Sequence, residues 1–256
     1  MFLDPWHILK QYTSARIALS RAGGSLRTQD WLDFKLAHAK ARDAVHCEFD
    51  SDTLRTQLKV MYEPVLLLTR RVKDRAAFLK RPDLGRRLDE SSKQTVKANR
   101  GSSDLVIVIS DGLSAAAIHA HVRHLLSALM PKLLNAGWSA APLVIVRFGR
   151  VAIEDEIGAL LGTKMAVMLI GERPGLGAPD SLGAYLVHNP TMENTDVNRN
   201  CVSNIRAAGL IYEKAADTIF YLLSEMKQRK LSGVGLKDNR VQIDQLLNSH
   251  HKCNTR

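Results

Sequence analysis

Residues able to do chemistry collect in three short stretches: Ser110-Asp111-Gly112, Phe148-Gly149-Arg150-Val151, and Gly171-Glu172-Arg173-Pro174-Gly175-Leu176-Gly177. The last is glycine-rich, so its amides can approach an anion or a flat ligand closely, and Glu172 adds an acceptor. By local spacing alone it reads as a tight surface turn. Neither a GxxxxGK[ST] loop nor a GxGxxG following a strand occurs anywhere in the chain. His119, His121 and His124 lie together, but only His121 and His124 stand at i, i+3, and no Cys, Asp or Glu is near them. A packed or solvated histidine cluster is expected there, because zinc needs three or four converging ligands. Cys201, in TDVNRNCVSNIR, could be reactive, ligand-contacting or merely small and apolar, and burial is the first expectation for a lone cysteine. Asp111 reads as a turn former, and Glu154-Asp155-Glu156 as acidic charge at a helix start. No Ser-His-Asp, Cys-His or paired-carboxylate set can be assembled from the order of residues. No catalytic or metal-ligating residue is therefore assigned.

The elements that must position these stretches follow from periodicity. Leu105–Ile109 is a β-branched run ending in the Ser110-Asp111-Gly112 turn, and Ser114 then caps a long helix that Gly137 stops. The unit recurs: a strand at 143–146, a helix at 153–161 closed by Gly162, and a strand at 165–170. A further short strand is expected at 185–187 and a helix at about 212–230, with an extended tail after Leu231. Upstream, 28–46 reads as an amphipathic helix with Trp31, Phe34, His38, Ala41 and Val45 on one stripe, capped by Thr28 or Asp30. The basic stretch 70–100 reads as short helices and a linker, a solvated face or a partner contact. The expected fold is α/β, a Rossmann-like, mainly parallel sheet with flanking helices. It comprises an α/β domain at 101–256 preceded by a smaller helical N-terminal region and linker at 1–100. Parallel strands demand crossover helices, and ligands then bind outside the carboxyl ends of the strands, where the three stretches lie.

Composition narrows the function classes. The 256 residues are 45% hydrophobic and 24% charged, which is ordinary for a globular protein. The net charge of +10 suits a nucleic-acid binder, an anionic-cofactor binder or an acidic protein partner equally. A nucleic-acid partner is not expected, since the basic stretch has Phe78 as its only aromatic residue. A free-standing nucleotide-dependent enzyme is disfavoured by the missing phosphate motifs. The apolar runs fall far short of the roughly 20 residues that span a bilayer, so no membrane segment is expected. The 3 cysteines, Cys47, Cys201 and Cys253, form no CxxC pair, and a reduced cytoplasmic setting fits them.

Several blocks, in order, resemble the small (light) subunit of adenosylcobalamin-dependent ethanolamine ammonia-lyase. They are Ser14-Ala15-Arg16-Ile17-Ala18-Leu19, Asp33-Phe34, Ala41-Arg42-Asp43-Ala44-Val45-His46, Ser110-Asp111-Gly112-Leu113-Ser114, GRVAIEDEIG, GERPGLG with Ser181-Leu182, and Asp196, Arg199, Cys201 and Ser203-Asn204-Ile205. The resemblance implies a hetero-oligomer. In it a barrel-shaped large subunit binds ethanolamine and the adenosyl side of the cofactor, and the small subunit completes the cobalamin site. The complex converts ethanolamine to acetaldehyde and ammonia by a radical mechanism, and the small subunit alone is inactive. Carried over by motif, the cofactor contacts are Val151 of GRVA, Glu172 of GERPG and Cys201 before SNI, the last expected in a loop. No DxHxxG sequence, which corrinoid-binding mutase domains use to place a histidine on cobalt, is present. The resemblance therefore implies that cobalamin keeps its own dimethylbenzimidazole and that this chain touches its periphery. It also implies a cytoplasmic location, with a bacterial microcompartment as the alternative. The N-terminus is shorter here than in relatives whose leading segment is tied to such packaging.

Overall fold

A computed structural model describes residues 5–240, except 14, 20, 70–73 and 82. A 3₁₀ turn at Pro5–Gln11 and a small antiparallel hairpin, β1 (Arg21–Ala22) with β2 (Ser25–Leu26), open the chain. Helix α1 (Thr28–His46) follows, and its start differs from expectation. Arg27 occupies the cap position with no side-chain cap, and Asp30 pairs with the Arg27 guanidinium at 2.9 Å instead of capping. The stripe is also not buried. Trp31 stacks on Phe34 and Phe34 on His38, yet Trp31 is 45% exposed and Ala44 is the buried residue of the helix.

Helix α2 (Ser51–Lys59) is capped by Asp50, which accepts from the Thr53 amide at 3.0 Å, and buries Leu54 and Leu58. The basic stretch forms α3 (Arg75–Lys80), a 3₁₀ turn at Leu84–Arg86 and α4 (Glu90–Ala98). Asp74 and Asp89 cap the two helices in the same manner, each accepting from an amide of the first turn.

The centre is a 6-stranded sheet. Its strands are β3 (Val65–Leu68), β4 (Leu105–Ser110), β5 (Leu143–Val146), β6 (Met165–Gly171), β7 (Leu182–His188) and β8 (Arg199–Ile205). They lie in the order β3-β5-β4-β6-β7-β8. β3, β5, β4 and β6 are parallel, β7 runs antiparallel to β6, and β8 runs antiparallel to β7 and so in the direction of β6. The fold is α/β, as the alternating pattern predicts. β4, β5 and β6 are buried on both faces, which explains their unbroken apolar runs. Two strands depart from expectation. β3 lies before the basic stretch and pairs along its whole length with β5. β8 places Cys201 inside a strand, opposite Tyr185 of β7, rather than in a loop.

Helices cover both faces. α5 (Ala115–Asn135) and α7 (Tyr212–Arg229) join α2 on one, through Ile118, Val122, Leu125, Leu129, Ile219 and Leu223. α6 (Ile153–Leu161) joins α4 on the other, through Val96, Ile153, Ile157 and Leu161. Ser114 caps α5, accepting from the Ala117 amide at 3.3 Å, and Gly162 ends α6 in the left-handed region at φ 76°. The stretch after Leu231 is ordered as far as described: Gly233 is buried in a 3₁₀ turn, and its amide donates to Asn200 Oδ1 at 2.7 Å.

Candidate functional site

Connections leave β4 and β5 toward opposite faces of the sheet, α5 on one and α6 on the other, so a crevice opens at their carboxyl ends. There a cavity of about 420 Å³ is lined by Gly112 and Leu113 after β4 and by Arg150 and Val151 after β5. Ile170, Gly171, Glu172 and Arg173 at the end of β6 complete it with Tyr185 and Ser203 from β7 and β8. All three loops singled out by residue type thus meet at one place.

Their closeness depends on absent side chains. Gly112 has φ +50°, and a Cβ there would collide with Ile170 and the Gly171 carbonyl. A Cβ on Gly171 would strike the Ser114 carbonyl. Backbone is packed directly on backbone, which only glycine permits. Asp111 is buried and does more than form a turn. It accepts from the Phe148 amide, locking the loops after β4 and β5 together, and pairs with Arg75 of α3 at 3.2 Å.

Glu172 is held within the protein. Its Oε2 accepts from Ser181 at 2.5 Å and from the Asn204 amide at 3.2 Å, while Oε1 accepts from Ser203 at 2.6 Å. One carboxylate therefore ties β6, β7 and β8 at the cavity wall. Ionised, it has about four acceptor sites, so it retains room for a donor from a ligand. Val151 lines the same cavity as an apolar surface. Cys201 stands one strand further out, on the same side of β8 as Ser203, and is exposed rather than buried. β8 is the last strand of the sheet, so no further strand covers its outer edge. Partial desolvation pushes the Cys201 thiol up, the Glu172 carboxylate adds to it, and a hydrogen bond from Tyr185 opposes it. Tyr185 is likewise raised, chiefly by burial. Both groups are protonated near neutrality, which does not suit a thiolate nucleophile.

Arginines from separate segments converge on the site. Arg150 and Arg173 line the cavity, with Arg75 and Arg86 close by. Arg150 stacks over Phe78 at 4.1 Å and donates to the Phe78 carbonyl at 3.0 Å. Arg150 and Arg173 stand in stretches marked out in the sequence, but their meeting with Arg75 and Arg86 was hinted at by net charge alone, because the residues come together from α3, the 3₁₀ turn and two loops.

The remaining candidates are structural. Glu154, Asp155 and Glu156 are buried: Arg199 of β8 binds Glu154 at 3.0 Å and also Asp155, while Glu156 accepts from the Leu88 amide at 2.7 Å. Burial pushes the Glu154 carboxyl well above its ordinary range, against the pull of Arg199. This cluster joins α6 to the sheet edge and to the segment before α4. His121 bridges Tyr212 at 3.0 Å and Asp180 at 3.1 Å, His124 stacks on Tyr212, and His119 accepts from the Asp50 amide. No group of His, Cys, Asp and Glu that could hold a metal ion occurs among the described residues. No helix among them is long and apolar enough to cross a membrane.

The ethanolamine ammonia-lyase light chain (EutC) family matches residues 3–237. The ethanolamine ammonia-lyase small subunit of Pseudomonas fluorescens (strain Pf0-1) is 53% identical over 239 residues, covering 92% of this chain and 87% of that protein. The protein of the same name from Pseudomonas putida (strain W619) is 51% identical, covering 92% and 88%. That of Pseudomonas syringae pv. tomato (strain ATCC BAA-871 / DC3000) is 48% identical, covering 92% and 83%. The chain therefore belongs to the light-chain, or small-subunit, family of ethanolamine ammonia-lyase.

Proposed function

We propose that this subunit completes the adenosylcobalamin site of its lyase complex, presenting Val151, Glu172 and Cys201 to the periphery of the cofactor. The observation that carries this reading is the cavity at the carboxyl edge, where Val151 and Glu172 meet and beside which Cys201 stands. Its lining suits a cobalamin rim: an apolar patch at Val151, a carboxylate acceptor at Glu172, and guanidinium donors at Arg150 and Arg173. At about 420 Å³ it lies low in the roughly 300–1,000 Å³ range of sites for drug-sized ligands. Cobalamin is larger than such ligands, so the cavity takes an edge of it and leaves the rest to a partner.

Bound there, the cofactor supplies the radical chemistry that eliminates ammonia from ethanolamine, and the protein supplies position and electrostatics. Val151 packs against the rim and excludes water. Glu172, fixed by Ser181, Ser203 and the Asn204 amide, offers its remaining acceptor sites to amide or hydroxyl hydrogens without having to reorganise. Cys201 contacts as a neutral thiol. The partner is the large subunit, which holds ethanolamine, and the complex works in the cytoplasm or inside a microcompartment.

Complementation tests the division of labour. This chain and the large subunit are purified separately and mixed, and ethanolamine deamination is followed with added adenosylcobalamin. Turnover appears only in the mixture. Turnover by either subunit alone at the rate of the mixture contradicts the proposal.

A further inference from the structure

We propose that Arg150, supported by Arg86 and Arg173, receives the phosphodiester of cobalamin's nucleotide tail. This rests on the adenosylcobalamin reading and adds a subsite to it. Arg150 is only partly exposed, and its Nη2 donates to the Phe78 carbonyl. Its Nε is enclosed without an acceptor, and Nη1 has no acceptor among the described residues. No carboxylate among them pairs with it within 4.0 Å, nor with Arg86 or Arg173. Asp111, the nearby buried carboxylate, is engaged by Arg75 and the Phe148 amide. Glu172 lines the same cavity but makes no ion pair within 4.0 Å with Arg150 or Arg173; its oxygens accept from Ser181, Ser203 and the Asn204 amide.

Burial, and then the like charges of Arg75, Arg86 and Arg173, press against the charged form of Arg150. A guanidinium does not escape by losing its proton, because it stays charged in proteins. Among these arginines Asp111 answers Arg75 alone, so the partly desolvated Arg150 with Arg86 and Arg173 beside it is unfavourable on its own, and a bound anion relieves it. The phosphodiester is the anionic group of cobalamin, and a planar guanidinium matches its oxygens. Stacking on Phe78 and the bond to its carbonyl hold Arg150 in place before the anion arrives.

The test compares cyanocobalamin with dicyanocobinamide, which has the corrin and its amides but lacks the nucleotide tail and its phosphodiester. Both are titrated spectrophotometrically against the assembled complex of this chain with its large subunit. Arg150→Gln raises the cyanocobalamin dissociation constant roughly tenfold to hundredfold, as expected for a charge-assisted bond, and leaves that of cobinamide unchanged. Arg150→Lys restores part of the loss. Arg173→Gln, at an exposed position, serves as the second variant if Arg150→Gln does not assemble. Its effect is about twofold to fivefold, again on cyanocobalamin alone. An equal loss for both corrinoids overturns the proposal. If that loss comes with loosened assembly, Arg150 faces a carboxylate of the large subunit instead. Unchanged binding of both corrinoids also overturns it. A wild-type complex that binds neither corrinoid overturns the cofactor reading itself.

Discussion

Glu172 has both carboxylate oxygens engaged by its own chain, so its role at the site is double. Glu172→Ala leaves Ser181, Ser203 and the Asn204 amide without their acceptor and removes the one offered to the cofactor. In the intact complex the apparent dissociation constant for adenosylcobalamin rises roughly tenfold to hundredfold while the maximal rate changes little. The split follows from the proposal that the reacting centre lies in the partner. Titrating cofactor against deamination rate, with assembly checked by size-exclusion chromatography, measures it. Unchanged apparent affinity in an intact complex would remove Glu172 from the cofactor site, leaving it the strand tie that its contacts already make it. Cys201 calls for the opposite outcome. Its thiol is raised by partial desolvation and by Glu172, so Cys201→Ser keeps the turnover of the wild type at saturating cofactor. Abolished turnover at saturation would establish a chemical role for the sulfur. At this scale the residues themselves marked only loops beyond apolar runs; Val151 and Glu172 were named through the family motifs, and the structure brings both to one cavity. Cys201 was misplaced as to burial, since a lone cysteine carries no signal of the exposed strand face it occupies. The Asp111–Arg75 pair was invisible, its members lying 36 positions apart.

Among the elements, those with two buried faces were readable and those with one were not. β4, β5 and β6 show as continuous β-branched runs, and α5 and α6 carry stop signals at Gly137 and Gly162, both in the left-handed region, while α7 was marked by its periodicity and ends at Lys230 in the same region without a glycine. β8 hid because its buried residues are Arg199, Val202 and Ile205 among polar neighbours, and Arg199 is accommodated there by Glu154 and Asp155 of α6, with Asp196 as a third carboxylate. β3 is a four-residue run between helices, too short for periodicity to separate strand from helix. The stripe of α1 was readable, but periodicity does not say whether a stripe faces this chain's core. At the amino ends of the strands Asp104 joins elements far apart in sequence. It accepts from Lys164 at 2.9 Å, Lys227 of α7 at 3.3 Å and the Ser139 amide at 3.2 Å. Burial disfavours its charge, yet these donors outweigh burial and hold its pKa to about 2, below the ordinary 3.8. A depressed carboxylate contributes stability above its unfolded pKa and loses it as pH falls through the folded value. Urea unfolding of the wild type should therefore lose about 2 kcal/mol between roughly pH 4 and pH 2 from this group, as an upper figure given its partly exposed lysine partners. Asp104→Asn removes that part of the acid slope. An identical slope in the variant would show that the anchor adds nothing to acid stability.

At the scale of the whole molecule, the chain gathers three loops, a fixed carboxylate and a set of guanidinium groups, of which Arg86, Arg150 and Arg173 have no carboxylate partner among the described residues, along one edge of the sheet. The opposite edge is closed by the Asp104 network. On the proposed reading such an edge covers only part of a large cofactor, which gives a physical reason for a small subunit to work through a partner. The fold class and the place of the site could be read from strand and helix alternation. The arginine cluster and the acidic buttress beneath it could not, because both arise from contacts between remote segments. The central claim is that this chain supplies part of the cobalamin surface. Equilibrium dialysis of cyanocobalamin against the large subunit alone, this chain alone and the two together measures that directly. Retention by the pair that is at least tenfold tighter than by either component is the predicted result, and equal affinity of the large subunit with and without this chain would contradict it.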